Sequence, residues 1–194
     1  MKAILLISIA LVITIKIDAQ DKALITDSRD GKVYKTVKIG DQIWLAENLA
    51  YKAGSGCWVY SEEQSNVELF GYLYDWAAAT NVCPSGWHLP TDEEWIVLTK
   101  YAGIDEGTKL KSASGWKNNG NGTDEFGFAA LPGGYRDSHG KYLFLGGSGR
   151  WWSATEGGMG GAWYRYATFG YNSLDRLTLN KKNGFSVRCV KDKN

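Results

Sequence analysis

The sequence predicts an α+β fold, on three observations. Two strand-like segments meet at a Gly-Asp turn near the start, a well-capped helix lies near the middle, and short strand-like segments return at the end after a Gly- and Asn-rich stretch. Its 194 residues suit one domain with a buried core. The 24 glycines imply turns and irregular loops rather than a helical bundle. The 9 Trp and 11 Tyr must be either packed inside or displayed to a ligand.

The first residues stand apart from the rest. Lys2 precedes the mainly apolar run Ile4–Ile15 and polar KIDAQD follows, the pattern of a secretory signal peptide over residues 1–19. Ile17, three places before the cleavage expected after Ala19, fits the small-residue rule poorly, and a retained anchor is the alternative. The 12-residue run would extend only ~18 Å as a helix against a hydrocarbon core of ~30 Å, so no membrane span is expected in the mature form. Lys2, Lys16 and Asp18 leave with the leader, which turns the formal charge of +1 into zero. A neutral domain lacks the field that non-specific phosphate binding relies on, which argues against nucleic acid or an anionic membrane as partner. Export places the domain in the periplasm, on the cell surface or outside the cell.

The elements follow in order. Lys32–Gly40 and Gln42–Leu49 read as strands joined at Gly40-Asp41, with Val33, Val37, Ile39, Ile43 and Leu45 in partial alternation. Residues 53–66 read as a loop, and Phe70–Thr80, with its three alanines, as a helix. Leu89–Gly103 carries the strongest local signal. Thr91 as N-cap and Glu94 three places on form a capping box, and Asp92 and Glu93 suit the positive end of the dipole. Trp95, Leu98 and Ala102 make the apolar stripe, and Gly103 ends it. From Ser112 helical periodicity fades. Trp151–Thr155, Ala162–Phe169, Asp175–Asn180 and Gly184–Lys191 then read as short strands, NKKNG supplying the last turn. The expected domain has two helices, short antiparallel strands and long irregular loops.

Catalytic and metal motifs are missing from this pattern. His88 and His139 have no partner at metal-ligand spacing, and His88 beside Trp87 reads as a packed, hydrogen-bonded residue. GGSGR departs from the nucleophile-elbow pattern at Arg150, and no phosphate-binding glycine loop occurs. Asn118–Glu125 has alternating oxygen donors but reads as an Asn/Gly turn. No catalytic residue, metal or cofactor is therefore assigned. Of Cys57, Cys83 and Cys189, an exported protein would oxidise two and leave one over.

Recognition chemistry is better supplied. Sugar rings stack on Trp and Tyr while Asp, Glu and Arg bond the hydroxyls. Two segments fit: GGYRDSHG with Tyr135, Arg136 and Asp137, and RWWSATE with Arg150, Trp151, Trp152 and Glu156. In a strand the two tryptophans point opposite ways, so one is expected in the core and one outward. In the AWYRY strand, Trp163 and Arg165 share one face, Tyr164 and Tyr166 the other. Tyr135, Arg136, Asp137, Trp151, Trp152, Glu156 and Trp163 are the candidate ligand residues, set against the reading that these rings mostly fill the core.

Seven motifs occur in order: DSRDGKVYKTVKIGDQIWLAENL, CWVY, YLYDWAAA, CPSGWHLPTDEEW, GFAALPGGYRD, WWSATE and GFSVRCVKD. Together they resemble the Fibrobacter succinogenes major paralogous domain, a family of exported bacterial proteins, over residues 26–192. The resemblance implies kinship with C-type-lectin-like and formylglycine-generating-enzyme-like folds, with HLPTDEEW as their second helix and SVRCV as their closing strand. It implies a Cys83–Cys189 disulfide, which would stabilise the fold by ~4 kcal/mol through loop closure. Relatives often carry a second cysteine where Val59 stands here, which leaves Cys57 a buried inert thiol or a link to another chain. No activity comes with the family. An oxidoreductase like the formylglycine-generating enzymes would need a reactive cysteine pair that this chain lacks. The expectation is an exported, non-catalytic module that binds polysaccharide or a cell-surface partner, the alternative a structural or adhesive surface protein without a small ligand.

Overall fold

A computed structural model describes residues 22–193; the leader expected at 1–19 lies outside them. In chain order the elements are β1 (Lys22–Thr26), β2 (Val33–Ile39), β3 (Gln42–Leu45), β4 (Cys57–Trp58), a 3-10 turn (Tyr60–Glu62), α1 (Ser65–Phe70), β5 (Leu73–Tyr74), α2 (Trp76–Ala79) and β6 (Trp87–His88). They continue with α3 (Asp92–Ala102), α4 (Glu106–Leu110), β7 (Tyr135–Arg136), β8 (Tyr142–Leu143), β9 (Ser148–Glu156), a 3-10 turn (Gly158–Gly160), β10 (Gly161–Thr168), β11 (Asp175–Asn180) and β12 (Val190–Lys191). The fold is α+β.

Local signals acted where they were strongest. β2 and β3 pair antiparallel from Thr36↔Leu45 to Ile39↔Gln42, turning at Gly40 with φ of 59°. The capping box on α3 is complete: Thr91 Oγ1 accepts from the Glu94 N–H, and Glu94 Oε2 accepts from the Thr91 N–H at 2.9 Å. β11 spans the residues expected of it.

Three expectations about the elements need correction. The described chain holds four helices rather than two, because α1 and α4 are single turns too short to show a period. Phe70–Thr80 is not one helix. Gly71, at φ of 72°, ends α1; Leu73–Tyr74 then pairs with β4, and Asp75 caps the separate α2 by accepting from the Ala78 N–H. Of Gly184–Lys191 only β12 is a strand, while Gly184, Phe185 and Ser186 touch neighbours through isolated bridges.

Two sheets hold the structure. The larger has the order β1-β2-β3-β12-β6, the smaller β11-β10-β9. The last strand is thus inserted between β3 and β6, and Cys83 and Cys189 are joined by a disulfide across 106 residues. Closing so long a loop removes freedom from the unfolded chain worth ~4–5 kcal/mol in the chain-entropy picture.

At Trp151 and Trp152 strand β9 is covered on both faces, which overturns the outward-facing tryptophan. Trp151 and Trp152 are both 0% exposed. They do point to opposite faces, as the pleat requires. Trp151 enters a core with Trp44, Trp95 and Phe128, while Trp152 enters a second core with Tyr74, Tyr164 and Phe185. Each indole N–H is satisfied: Trp151 Nε1 donates to Asn48 Oδ1 at 2.8 Å and Trp152 Nε1 to the Tyr74 carbonyl at 2.8 Å. Alternation reports direction, and whether a face meets water depends on what lies over it.

Candidate ligand-binding face

Two glycines position the short strand β7. Gly134 bridges Gly149. A Cβ on Gly149 would fall 2.3 Å from the Trp151 ring, and one on Gly134, at φ of 65°, would meet the Tyr60 ring at 2.6 Å. The bare glycines leave room for those rings, and beside their bridge the next residues, Tyr135 and Arg150, meet side by side. The Arg150 guanidinium lies 3.5 Å from the Tyr135 ring centroid, with Tyr164 at 5.5 Å and Phe185 at 5.6 Å. GGYRDSHG and RWWSATE therefore do come together, through Tyr135 and Arg150 rather than through the tryptophans.

Arg150 is half-buried, and its guanidinium has no acid or carbonyl partner among the described residues; its Nε is closed to solvent without an acceptor. The sheet explains why. In its cross-strand row Arg150 faces Tyr166, and Tyr166 faces Asp175. The acid of that row is therefore two strand spacings away, ~9.6 Å. Its carboxylate already accepts from Ser173 Oγ at 2.8 Å. Burial and Asp175 push the Tyr166 hydroxyl upward against the pull of Arg150.

The rim beside Arg150 is aromatic. Phe144 stacks on Tyr135, centroids 6.0 Å and planes 7° apart, yet is 60% exposed. Its backbone is left-handed, φ of 61°, which is uncommon for a side chain of this size. The Phe144 carbonyl accepts from the N–H groups of Gly147 at 2.9 Å and Ser148 at 3.0 Å, and this turn holds the ring outward. Phe169, 40% exposed, completes the rim: a Cβ on Gly147 would touch both rings, at 3.7 and 3.9 Å.

A second guanidinium–aromatic pair lies nearby. Arg136 sits 4.2 Å over the half-buried Trp58 ring, and Tyr142 faces Arg136 across β7–β8 while packing on Tyr60 at 5.2 Å. Arg136 likewise has no acid partner among the described residues. Trp58, Tyr142, Phe144 and Phe169 were not among the residues singled out. Trp58 lay in a segment read as loop, and the others carry no local motif.

The remaining candidates go elsewhere. Asp137 closes the β7–β8 turn, accepting from the N–H groups of Lys141 at 2.8 Å and His139 at 2.9 Å, which hold its carboxyl below the usual range. Glu156 is exposed six residues further along β9, ~20 Å away. It pairs with Lys181 at 3.0 Å. Trp163 lies on the opposite face of the sheet, covered by Arg176 at 4.5 Å. His88 is held by hydrogen bonds to Asp192 at 2.6 Å and Glu94 at 2.9 Å. Cys57 is unpaired and half-buried, and burial pushes its thiol up to about 11. Among the described residues no three His, Cys, Asp or Glu side chains gather to hold a metal, and no helix is long and apolar enough to cross a membrane.

A cleft of about 590 Å³ opens between β1–β2, α1 and the loop at 124–131, with Lys35, Glu47, Glu68, Leu69 and Asp124 on its walls. Much of its polar lining serves the fold. Glu47 accepts from the Lys35 N–H at 3.0 Å, Asp124 from the Ala129 N–H at 2.7 Å, and Asn48 accepts from Trp151 and Arg188 while donating to the Phe70 carbonyl. Arg188, fully buried nearby, donates to the carbonyls of Leu45, Phe128 and Ala129, and burial pushes it down to about 9. The cleft offers a ligand less uncommitted chemistry than the Arg150 face.

Comparison with curated proteins and with solved structures returned no match. The family model described as the Fibrobacter succinogenes major domain matches residues 37–191, from within β2 to the end of β12, so that the smaller sheet, the disulfide and the Arg150 face fall inside it while β1 lies before it. The chain belongs to the Fibrobacter succinogenes major domain family.

Proposed function

We propose that this chain is an exported, non-catalytic recognition module on a scaffold of C-type-lectin-like character, binding polysaccharide or another cell-surface partner through the face around Tyr135 and Arg150. One observation carries the reading: two guanidinium groups, Arg136 and Arg150, lie over aromatic rings without an acid partner among the described residues, beside the outward ring of Phe144. Outward rings suit the C–H faces of sugars, and donors held by stacking suit their oxygens. The scaffold assignment is supported by the insertion of β12 between β3 and β6 and by the disulfide from beside α3 to the last strand. The non-catalytic reading is supported by the commitment of His88 to two carboxylates and by the raised thiol of Cys57.

The test is retention of the purified protein on insoluble cellulose, xylan, chitin and peptidoglycan. Phe144→Ala and Trp58→Ala, both outside the two cores, are expected to fold and to lose retention. Retention on none of the polymers would remove the polysaccharide reading. A second reading, an adhesive surface module without a small ligand, is favoured by β11, a sheet-edge strand exposed along its whole length and carrying Leu177 and Leu179.

A further inference from the structure

We infer that Arg150 is a carboxylate-reading residue, and that the sugar this face takes is acidic, with a uronate group as the ligand's anchor. The inference rests on the recognition reading above and narrows its substrate class.

Arginines in this chain fall into two sets. Arg29 is bonded to Asp27, Arg165 and Arg176 to Asp92, and Arg188 to backbone carbonyls and Asn48. Each has at least one donor bonded to an acceptor, although the Nε of Arg165 and of Arg188 lacks one. Arg150 differs, because its setting supplies ring faces and no acceptor. The guanidinium lies 3.5 Å from the Tyr135 ring centroid, and Tyr164 and Phe185 wall it further off. A ring face satisfies the charge partly but none of the N–H groups. A partly buried guanidinium with unused donors calls for an acceptor from outside, and its planar fork matches a carboxylate better than a lone hydroxyl. The row Arg150–Tyr166–Asp175 keeps its own acid a full strand beyond reach, and among the described residues no carboxylate pairs with the fork. The rim rings Phe144 and Phe169 stand where the apolar face of the same sugar could rest.

The decisive measurement is calorimetric titration of the intact protein with an oligogalacturonate and with the same oligomer methyl-esterified, which removes the charge and keeps the rings. The acid is expected to bind ~10–100-fold more tightly, the range of a charge-assisted hydrogen bond. Arg150→Gln is expected to abolish that preference, and Arg150→Lys, which keeps the charge and loses the fork, to fall between. The ester comparison needs no variant, so equal binding of the two oligomers overturns the inference even if a substitution fails to fold. Equal binding of acid and ester, or an acid preference that persists in a folded Arg150→Gln protein, overturns the role of Arg150 and leaves polysaccharide recognition standing. Binding of neither oligomer, together with retention on neutral polymers, overturns the acidic-ligand inference alone. Binding of no polymer of any kind overturns both.

Discussion

Arg150 and Arg165 occupy adjacent cross-strand rows of one hairpin, on opposite faces, and the fold treats them in opposite ways. Arg165 faces Trp151 across the strands and Arg150 faces Tyr166. Helix α3 brings Asp92 against Arg165, and the pair is buried with an Nη2 to Oδ1 distance of 2.6 Å. Arg176 from β11 adds a second cation to the same carboxylate. No helix brings an acid to Arg150. The one residue type therefore serves as a buried tie between layers where an acid is supplied, and as an open donor where only rings are supplied. Burial of the Arg165 charge is tolerable because Asp92 faces it; Arg150 remains nearer the surface, where water moderates the charge.

The comparison can be broken at its strongest point. Asp92→Ala leaves Arg165 buried without its carboxylate and also unties Arg176, so it is expected to destabilise the domain by ~3–5 kcal/mol, read by urea unfolding. A loss under ~1 kcal/mol would mean that the two arginines are energetically alike. Arg150→Gln removes only ring stacking, and the same measurement is expected to show a change of ~1 kcal/mol or less. Similar large losses for both variants would erase the distinction between tie and open donor.

A smaller effect distinguishes a titrating tie from these fixed ones. His88 joins β6 to Glu94 at the start of α3 and to Asp192 just beyond β12. Burial works against its charge, but the hydrogen bonds to Asp192 and Glu94 prevail and raise its pKa. A raised value in the folded state means that this stabilisation is complete below the unfolded value of ~6.5 and is lost as pH climbs through the folded value. With the ring more than a third exposed, the gain is expected to be under ~1 kcal/mol. Melting temperature is expected to fall slightly from pH 6 to 8 in the natural protein, and Asp192→Asn is expected to flatten part of that slope. A melting temperature that rises over this interval in the natural protein but not in His88→Gln would reverse the sign of the interaction.

How much was legible beforehand divides along the same lines. The capping box of α3, the Gly40 turn and β11 were read from neighbouring residues, because each is held by contacts a few positions apart. The disulfide followed from a resemblance spanning the chain, since spacing alone leaves three cysteines unassigned. Of the candidate site, Tyr135 and Arg136 stand on the face described here, and Asp137 closes its turn. Trp151 and Trp152 do not, because the layers that cover them come from distant segments: Trp44 and Phe128 on one side, Tyr74 and Phe185 on the other. The exposure of Phe144 and Phe169 leaves no trace in neighbouring residues, and Trp58 meets Arg136 only across the fold.

The amino-acid sequence by itself determined the α+β class, the caps and turns, the direction of each side chain along a strand, and a neutral charge after the expected leader. Those depend on backbone preference and on residues within a few places of one another. Only the tertiary structure decided which faces of the small sheet are dry, which arginine receives an acid, and that Tyr135 meets Arg150. Those outcomes turn on which segments distant in the chain pack together, as Asn48 does with Trp151 and Asp92 with Arg165.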